Sequence, residues 1–182
     1  MSKVTLNSRE LRVTSPMNGQ EKEVRRNELY LILDNVLDTY NVGSIFRLAD
    51  ATAVKEVILC GETLTPPNIR ITRASIETWR WVPWRYEATA LDAINNLKRQ
   101  IPGISIYGVE QDQRSVKYTS VHYKKPCALV VGNETYGIGK RTLDACDSIV
   151  ELPMWGINKS LNVMVSCGIV MYQSLQDEGN IG

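Results

Sequence analysis

The sequence predicts an α/β fold built on a mainly parallel sheet with helices on both faces. Three observations carry that reading. Short apolar runs rich in Val, Ile and Leu recur from Leu29 onward. They alternate with segments whose apolar residues fall at helical spacing. Polar, asparagine- and glycine-bearing stretches follow the runs, as loops do at the edge of a parallel sheet. At 182 residues the chain is long enough to bury one core and is read as one domain.

Residues 1–28 are polar and unpatterned and read as an extended arm or a short frayed helix. Leu29–Leu33 is a buried strand that ends in Asp34-Asn35. In Val42–Ala53, Val42, Ile45, Phe46, Ala49 and Ala53 form one helical stripe, with Asn41 as the expected N-cap. At 100° per residue Arg47 lies about 140° from Val42, off that stripe and unsuited to a core. Lys55–Cys60 is a second strand, and Thr65-Pro-Pro-Asn68 a turn that opens a short helix. Val82–Tyr86 reads as a short strand, and Ala88–Gln100 as an amphipathic helix closed by Pro102-Gly103. Ile104–Val109 and Ala128–Val131 are strands separated by the polar stretch Glu110–Lys125. Lys140–Cys146 is a short helix, Ile149–Leu152 a strand and Leu161–Gln176 the last helix. That helix is apolar around most of its circumference, so it must be covered on more than one side. A homodimer interface accounts for this better than a central core helix does.

Composition sets limits. Hydrophobic residues make up 43% and charged residues 23%, a globular balance. Neither the polar N-terminus nor the short apolar run Leu161–Tyr172 reads as a signal peptide or membrane span, so a cytoplasmic protein is expected. The four cysteines are far apart and lie in or beside apolar segments, which suits reduced, buried thiols. With those spacings and a single histidine, His122, no metal site is expected. A net charge of +1 is silent about nucleic acid, but Arg70, Arg73, Arg80 and Arg85 alternate with Trp79, Trp81, Trp84 and Tyr86. That stretch reads either as a phosphate- and base-binding surface or as packed tryptophans with solvated arginines.

Three segments place polar groups where a strand gives way to a loop, where α/β ligand sites lie. They are Asp34-Asn-Val-Leu-Asp-Thr-Tyr-Asn41-Val-Gly43-Ser-Ile-Phe-Arg47, Val131-Gly132-Asn133-Glu134-Thr-Tyr-Gly137-Ile-Gly139, and Leu152-Pro153-Met154-Trp-Gly156-Ile-Asn-Lys-Ser160-Leu161-Asn162-Val163. The second is no P-loop: Glu134 stands where the first glycine belongs and Arg141 where Ser/Thr would hold magnesium. There is no G-x-G-x-x-G and no G-x-S-x-G, which disfavours a dinucleotide oxidoreductase and a serine hydrolase. By themselves the loops indicate a ligand site at the carboxyl edge of a parallel sheet.

At these segments, and over Leu29 to Gln176, the chain resembles the SpoU/TrmH family of RNA ribose 2′-O-methyltransferases in the SPOUT superfamily. N-x-G-x-x-x-R runs from Asn41 to Arg47, G-N-E-x-x-G from Gly132 to Gly137, and P-M-x-G-x-x-x-S-L-N-V from Pro153 to Val163. The resemblance implies a methyltransferase domain over 29–176, with a tail at 177–182 and a C-terminal deep trefoil knot. It implies S-adenosylmethionine as cofactor, held by Val109, Gly132, Leu152, Met154, Ser160 and Leu161. It implies RNA as substrate, with Arg47 catalytic, Asn41 and Glu134 orienting it, and Ser160 and Asn162 near the ribose. The structural alternative for Ser160, Asn162 and Glu134 is helix capping and turn formation. Arg47, Arg70, Arg73 and Arg80 are the RNA-binding candidates. The absence of an added N-terminal RNA-binding domain favours tRNA, with a D-loop guanosine first. The wobble ribose, rRNA or a non-catalytic RNA- or cofactor-binding module are the alternatives.

Overall fold

The computed structural model describes residues 23–176, so the expected tail and all but the end of the expected arm lie outside the described residues. Seven strands form one sheet in the order β3-β2-β1-β6-β4-β7-β5, and each neighbouring pair is parallel. They are β1 (Asn27–Asp34), β2 (Val54–Cys60), β3 (Trp84–Glu87), β4 (Ser105–Val109), β5 (Val116–Lys117), β6 (Cys127–Val131) and β7 (Ser148–Glu151). The central strands show why the apolar runs were continuous. Leu29, Leu31 and Leu33 enter one core while Tyr30 and Ile32 enter the other.

One face carries α1 (Thr39–Ala51), α2 (Ile69–Ser75) and α5 (Val163–Gln176), and the other carries α3 (Ala90–Gln100) and α4 (Lys140–Ala145). Caps set the helix starts. Asn68 accepts from the Arg70 and Ile71 amides, and Thr89 from the Asp92 amide. The expected cap of α1 was Asn41, but Asp38 takes that role by accepting from the Tyr40 N–H. The helix therefore begins earlier, and Asn41 sits in its first turns with a side chain free for another partner. The polar stretch after β4 also differs from expectation, since it contributes edge strand β5 and a 3₁₀ turn, Tyr118–Ser120. Two residues of β pairing are too short to leave an alternation in sequence.

The tryptophans resolve toward packing. Trp79, Trp81 and Trp84 lie half-buried against the core, and the Trp84 ring meets Phe46 edge-on at 6.5 Å. Trp81 Nε1 donates to Asp50 (2.7 Å), and Arg80 lies 5.1 Å over Trp79 while pairing with Glu77. Arg85 is engaged by Glu56 and Glu87, which leaves Arg70, Arg73 and Arg80 as the exposed arginines of this stretch. All four cysteines are free thiols, and burial pushes Cys60, Cys146 and Cys167 up to about 12. Helix α5 buries Cys167, Val170, Met171, Ser174 and Leu175 but leaves Val165 and Tyr172 exposed, so its apolar girth is covered on one side only. No helix among the described residues is long and apolar enough to cross a membrane.

Gly43 fixes how closely α1 meets α2. A Cβ there would lie 2.6 Å from Ala74 Cβ and 2.8 Å from the Ile71 carbonyl oxygen, which is backbone and cannot step aside. Gly43→Val should therefore cost about 1–3 kcal/mol by overpacking. Urea unfolding would show this as a lower midpoint at unchanged slope, whereas an unaltered midpoint would mean the two helices separate freely.

Candidate active site

The three polar segments converge on the carboxyl edge of the sheet, beyond β1, β6 and β7. Glu134 is the hub. Its Oε2 accepts from the Leu37 N–H (3.1 Å), and its Oε1 from the Asp38 N–H (3.1 Å) and Asn41 Nδ2 (2.9 Å). Asn41, its amide now oriented, accepts at Oδ1 from Asn162 Nδ2 (3.0 Å). Asn162 in turn presents Oδ1 to the Met164 N–H (2.9 Å) and the Val165 N–H (3.4 Å), capping α5. Burial would raise the Glu134 carboxyl, but donation by Asn41 and the two amides outweighs it and holds the group below its ordinary value.

The 132–137 loop has its own scaffold. The Asn133 and Gly137 backbones exchange hydrogen bonds of 3.1 and 2.9 Å, and Asn133 Oδ1 accepts from the Thr135 and Tyr136 amides. Asn133 Nδ2 ties the loop to the Asn35 carbonyl (2.9 Å), at the end of β1. A Cβ on Gly132 would fall 2.3 Å from the Gly137 carbonyl carbon, so glycine at 132 is required by this fold-back whatever binds beside it.

The loop after β4, the 132–137 loop and the segment after β7 line a cavity of about 490 Å³. Val109, Gly132, Leu152, Met154, Ser160 and Leu161 all line it, as do Glu134 and Asn162. Wall residues outside all three segments are Val109, already a cofactor candidate, and Glu110, Gln111, Val150, Glu151 and Ser166, which sequence reasoning missed. Glu110 and Glu151 directly follow Val109 and Val150, which pair in register, so the two carboxylates come to the same sheet edge, Glu110 one residue past β4 and Glu151 as the last residue of β7. Glu110 also accepts from the Ile138 N–H (2.9 Å) and braces the 132–137 loop. Among the described residues Ser160 bonds Asn158 alone, through both its N–H and its hydroxyl (3.2 Å each). No backbone–backbone hydrogen bond involves residues 152–161 among the described residues. Apart from the Ser160 N–H, the peptide N–H groups of this wall are therefore open to a ligand. Size, apolar side chains and open peptide groups together suit a nucleoside-sized molecule.

Arg47 is placed elsewhere. It is exposed on α1, makes no ion pair or hydrogen bond among the described residues, and does not line the cavity. Six residues separate it from Asn41, about 120° around the helix. Arg70 and Arg73 are exposed on α2, with Arg80 just beyond it. Among the described residues no cluster of three or more His, Cys, Asp or Glu could hold a metal ion.

A twofold-covered parallel sheet with a nucleoside-sized cavity sewn from three loops at its carboxyl edge is the architecture of an α/β cofactor-binding domain. The chain belongs to the SpoU rRNA Methylase family, whose model matches residues 28–172. It is 27% identical over 161 residues to the TrmH family protein YacO of Bacillus subtilis (strain 168), covering 88% of this chain and 64% of that one. A TrmH family protein of Staphylococcus aureus (strain MSSA476) is 30% identical over 163 residues, 90% of this chain and 64% of the other. The chain thus spans about 64% of the length of these curated relatives. Its fold superposes on the TrmH/SpoU tRNA modifying enzyme of A. aeolicus with a TM-score of 0.78 and 27% identity, covering 87% of this chain and 80% of that one. The AdoMet-bound rRNA methyltransferase of Sinorhizobium meliloti superposes with a TM-score of 0.76 and 26% identity over 86% of this chain and 59% of the other.

Because the folded carboxyl of Glu134 lies below its ordinary value of 4.5, its contribution is present above that pH and is lost as pH falls through the lower folded value. Glu134→Gln should therefore unfold more easily than wild type at pH 7, with the gap closing below about pH 4.5. Equal urea midpoints at both pH values would show that the carboxylate does not hold the two loops together.

Proposed function

We propose that the chain is an S-adenosylmethionine-dependent RNA ribose 2′-O-methyltransferase of the cytoplasm, acting on tRNA, with a D-loop guanosine as the favoured target. The observation that carries this reading is the cavity lined by the second and third motif segments, Gly132–Gly137 and Leu152–Val163, with the first segment tied to its wall through the Asn41–Glu134 and Asn41–Asn162 bonds. When bound, S-adenosylmethionine supplies a methyl group on a sulfonium that needs no protonation to leave. Val109, Gly132, Leu152, Met154, Ser160 and Leu161 would hold it, their apolar side chains and the peptide groups of 152–161 offering contact area and hydrogen-bond donors. In this reading the C-terminal part of the chain closes a deep trefoil knot, and the bond between Gln111 Nε2 and the Lys159 carbonyl (2.5 Å) holds the loop after β4 against the 152–161 segment.

A ribose hydroxyl is a weak nucleophile and must be aligned and relieved of its proton. Arg47 is the charge-stabilising group for the developing alkoxide and the holder of the target phosphate, because a guanidinium stays protonated. Arg47 does not line the cavity of its own protomer, so in this reading it serves the cavity of a second copy in a homodimer. The exposed Val165 and Tyr172 of α5 support such a pairing. Asn41 and Glu134 position α1 through the relay described above. Ser160 and Asn162 shape the ribose side of the cavity, and Arg70, Arg73 and Arg80 contact RNA phosphates.

Calorimetry in the presence of a chelator should show S-adenosylmethionine binding; none at millimolar cofactor would end the enzyme reading. Arg47→Ala should keep cofactor affinity and lower single-turnover methylation of tRNA about a hundredfold or more. A variant defective only in cofactor binding would show the role to be misassigned. Mixing Arg47→Ala with Asn162→Ala subunits tests sharing between protomers. Random pairing should restore up to about a quarter of wild-type activity if Arg47 acts across the dimer, and none if it acts within its own subunit.

A further inference from the structure

A second cavity, of about 450 Å³, lies on the opposite side of the 133–137 loop, and Asn133 and Gly137 line both cavities. Its walls include Asp34, Glu62, Ala90, Tyr136 and Arg141. Asp34 ends β1 on the α3 side of the sheet and is only 6% exposed. One carboxylate oxygen accepts from Asn35 Nδ2 (2.8 Å); the other has no partner among the described residues and is not sealed from solvent. Asn35 is itself fixed, accepting from the Glu62 N–H (2.9 Å) through Oδ1 and from Asn133 Nδ2 (2.9 Å) through its carbonyl. Asp34 is thus a rigid, deeply buried carboxylate that is short of donors and opens into a cavity. Around it stand the Tyr136 ring, 87% exposed, and the exposed Arg141 guanidinium, which has no ion pair among the described residues.

We propose that this second cavity holds a guanine base of the substrate RNA, with Asp34 accepting its Watson–Crick N–H donors. The inference rests on the RNA-methyltransferase reading and gives its favoured guanosine a base site. Unpaired bases are recognised along their Watson–Crick edges and by stacking on aromatic rings. Only guanine presents an imino and an amino N–H side by side, a pair that matches a carboxylate acting purely as acceptor. Adenine and cytosine set an acceptor beside their amino group, and uracil flanks its single N–H with two carbonyls, which the carboxylate repels. Tyr136 supplies the stacking face and Arg141 a cation for the phosphate. The shared 133–137 loop joins this base site to the cavity that Glu134 lines, so one nucleotide can lie against both walls.

The test is titration of the full chain with GMP, IMP, AMP, CMP and UMP, followed by amide NMR, with S-adenosylmethionine affinity measured separately. GMP should shift the amides of Asn35, Glu62 and Ala90. IMP, which lacks the amino donor, should bind about tenfold more weakly. Asp34→Asn should weaken GMP at least about tenfold and leave S-adenosylmethionine affinity unchanged, since an amide turns a donor toward donors. Equal binding of GMP and UMP, an undiminished Asp34→Asn, or shifts centred on Met154 and Leu161 would overturn the proposal. Should Asp34→Asn fail to fold, Tyr136→Ala decides, because that exposed ring supports no core. It must weaken GMP several-fold, and unchanged affinity there refutes the site. GMP binding without S-adenosylmethionine binding would remove the methyltransferase reading and spare the base site; the reverse result would do the opposite.

Discussion

The side-chain amide of Asn41 is the constraint on which the rest of the site depends. Glu134 can only accept, so the Asn41 NH₂ must face it. That leaves the Asn41 oxygen toward Asn162, whose own oxygen is then forced onto the open N–H groups at the start of α5. One carboxylate therefore sets the direction of two amides and the entry of the last helix. The residues it joins are 93 and 121 positions apart in sequence. Closing loops of that length is entropically costly, and a charge-assisted acceptor with three donors is a strong way to hold them.

From that relay the cavity follows. The loop that carries Glu134 is folded tightly by the Asn133–Gly137 exchange and braced from below by Glu110. The segment 152–161 is pinned at its ends, by β7 before it and by the Asn162 cap after it. Between those anchors its peptide groups make no backbone ladder, the condition under which a chain can offer N–H groups to a ligand without leaving its own structure incomplete. The same loop then separates two cavities, one walled by peptide groups and apolar side chains, the other by a buried acceptor, an exposed ring and a free cation. Burial makes the difference: a polar atom with unmet partners is costly inside a protein and useful only where a ligand meets it.

The sequence by itself determined the alternation of strands and helices, and with it the parallel sheet and its two faces. Both follow from side-chain periodicity and end signals that are local in the chain. Polar punctuation after apolar runs marked the carboxyl edge as the place of a ligand site, and the family resemblance, not periodicity, singled out Val109, Gly132, Leu152, Met154, Ser160 and Leu161 there. Tertiary structure alone decided the partnerships. Asp38 rather than Asn41 caps α1, since a carboxylate from the distant Gly132–Gly137 segment claims the asparagine. The tryptophans of the 79–84 stretch lie half-buried against the core, because Phe46 and Asp50 of α1 lie beside them. Strand β5, Glu110, Glu151 and the buried Asp34 gained their places from strand register, a relation between segments far apart in the chain. Periodicity records which way a residue points within its own element; what it meets there is fixed only when elements separated by a hundred residues are brought within hydrogen-bonding reach.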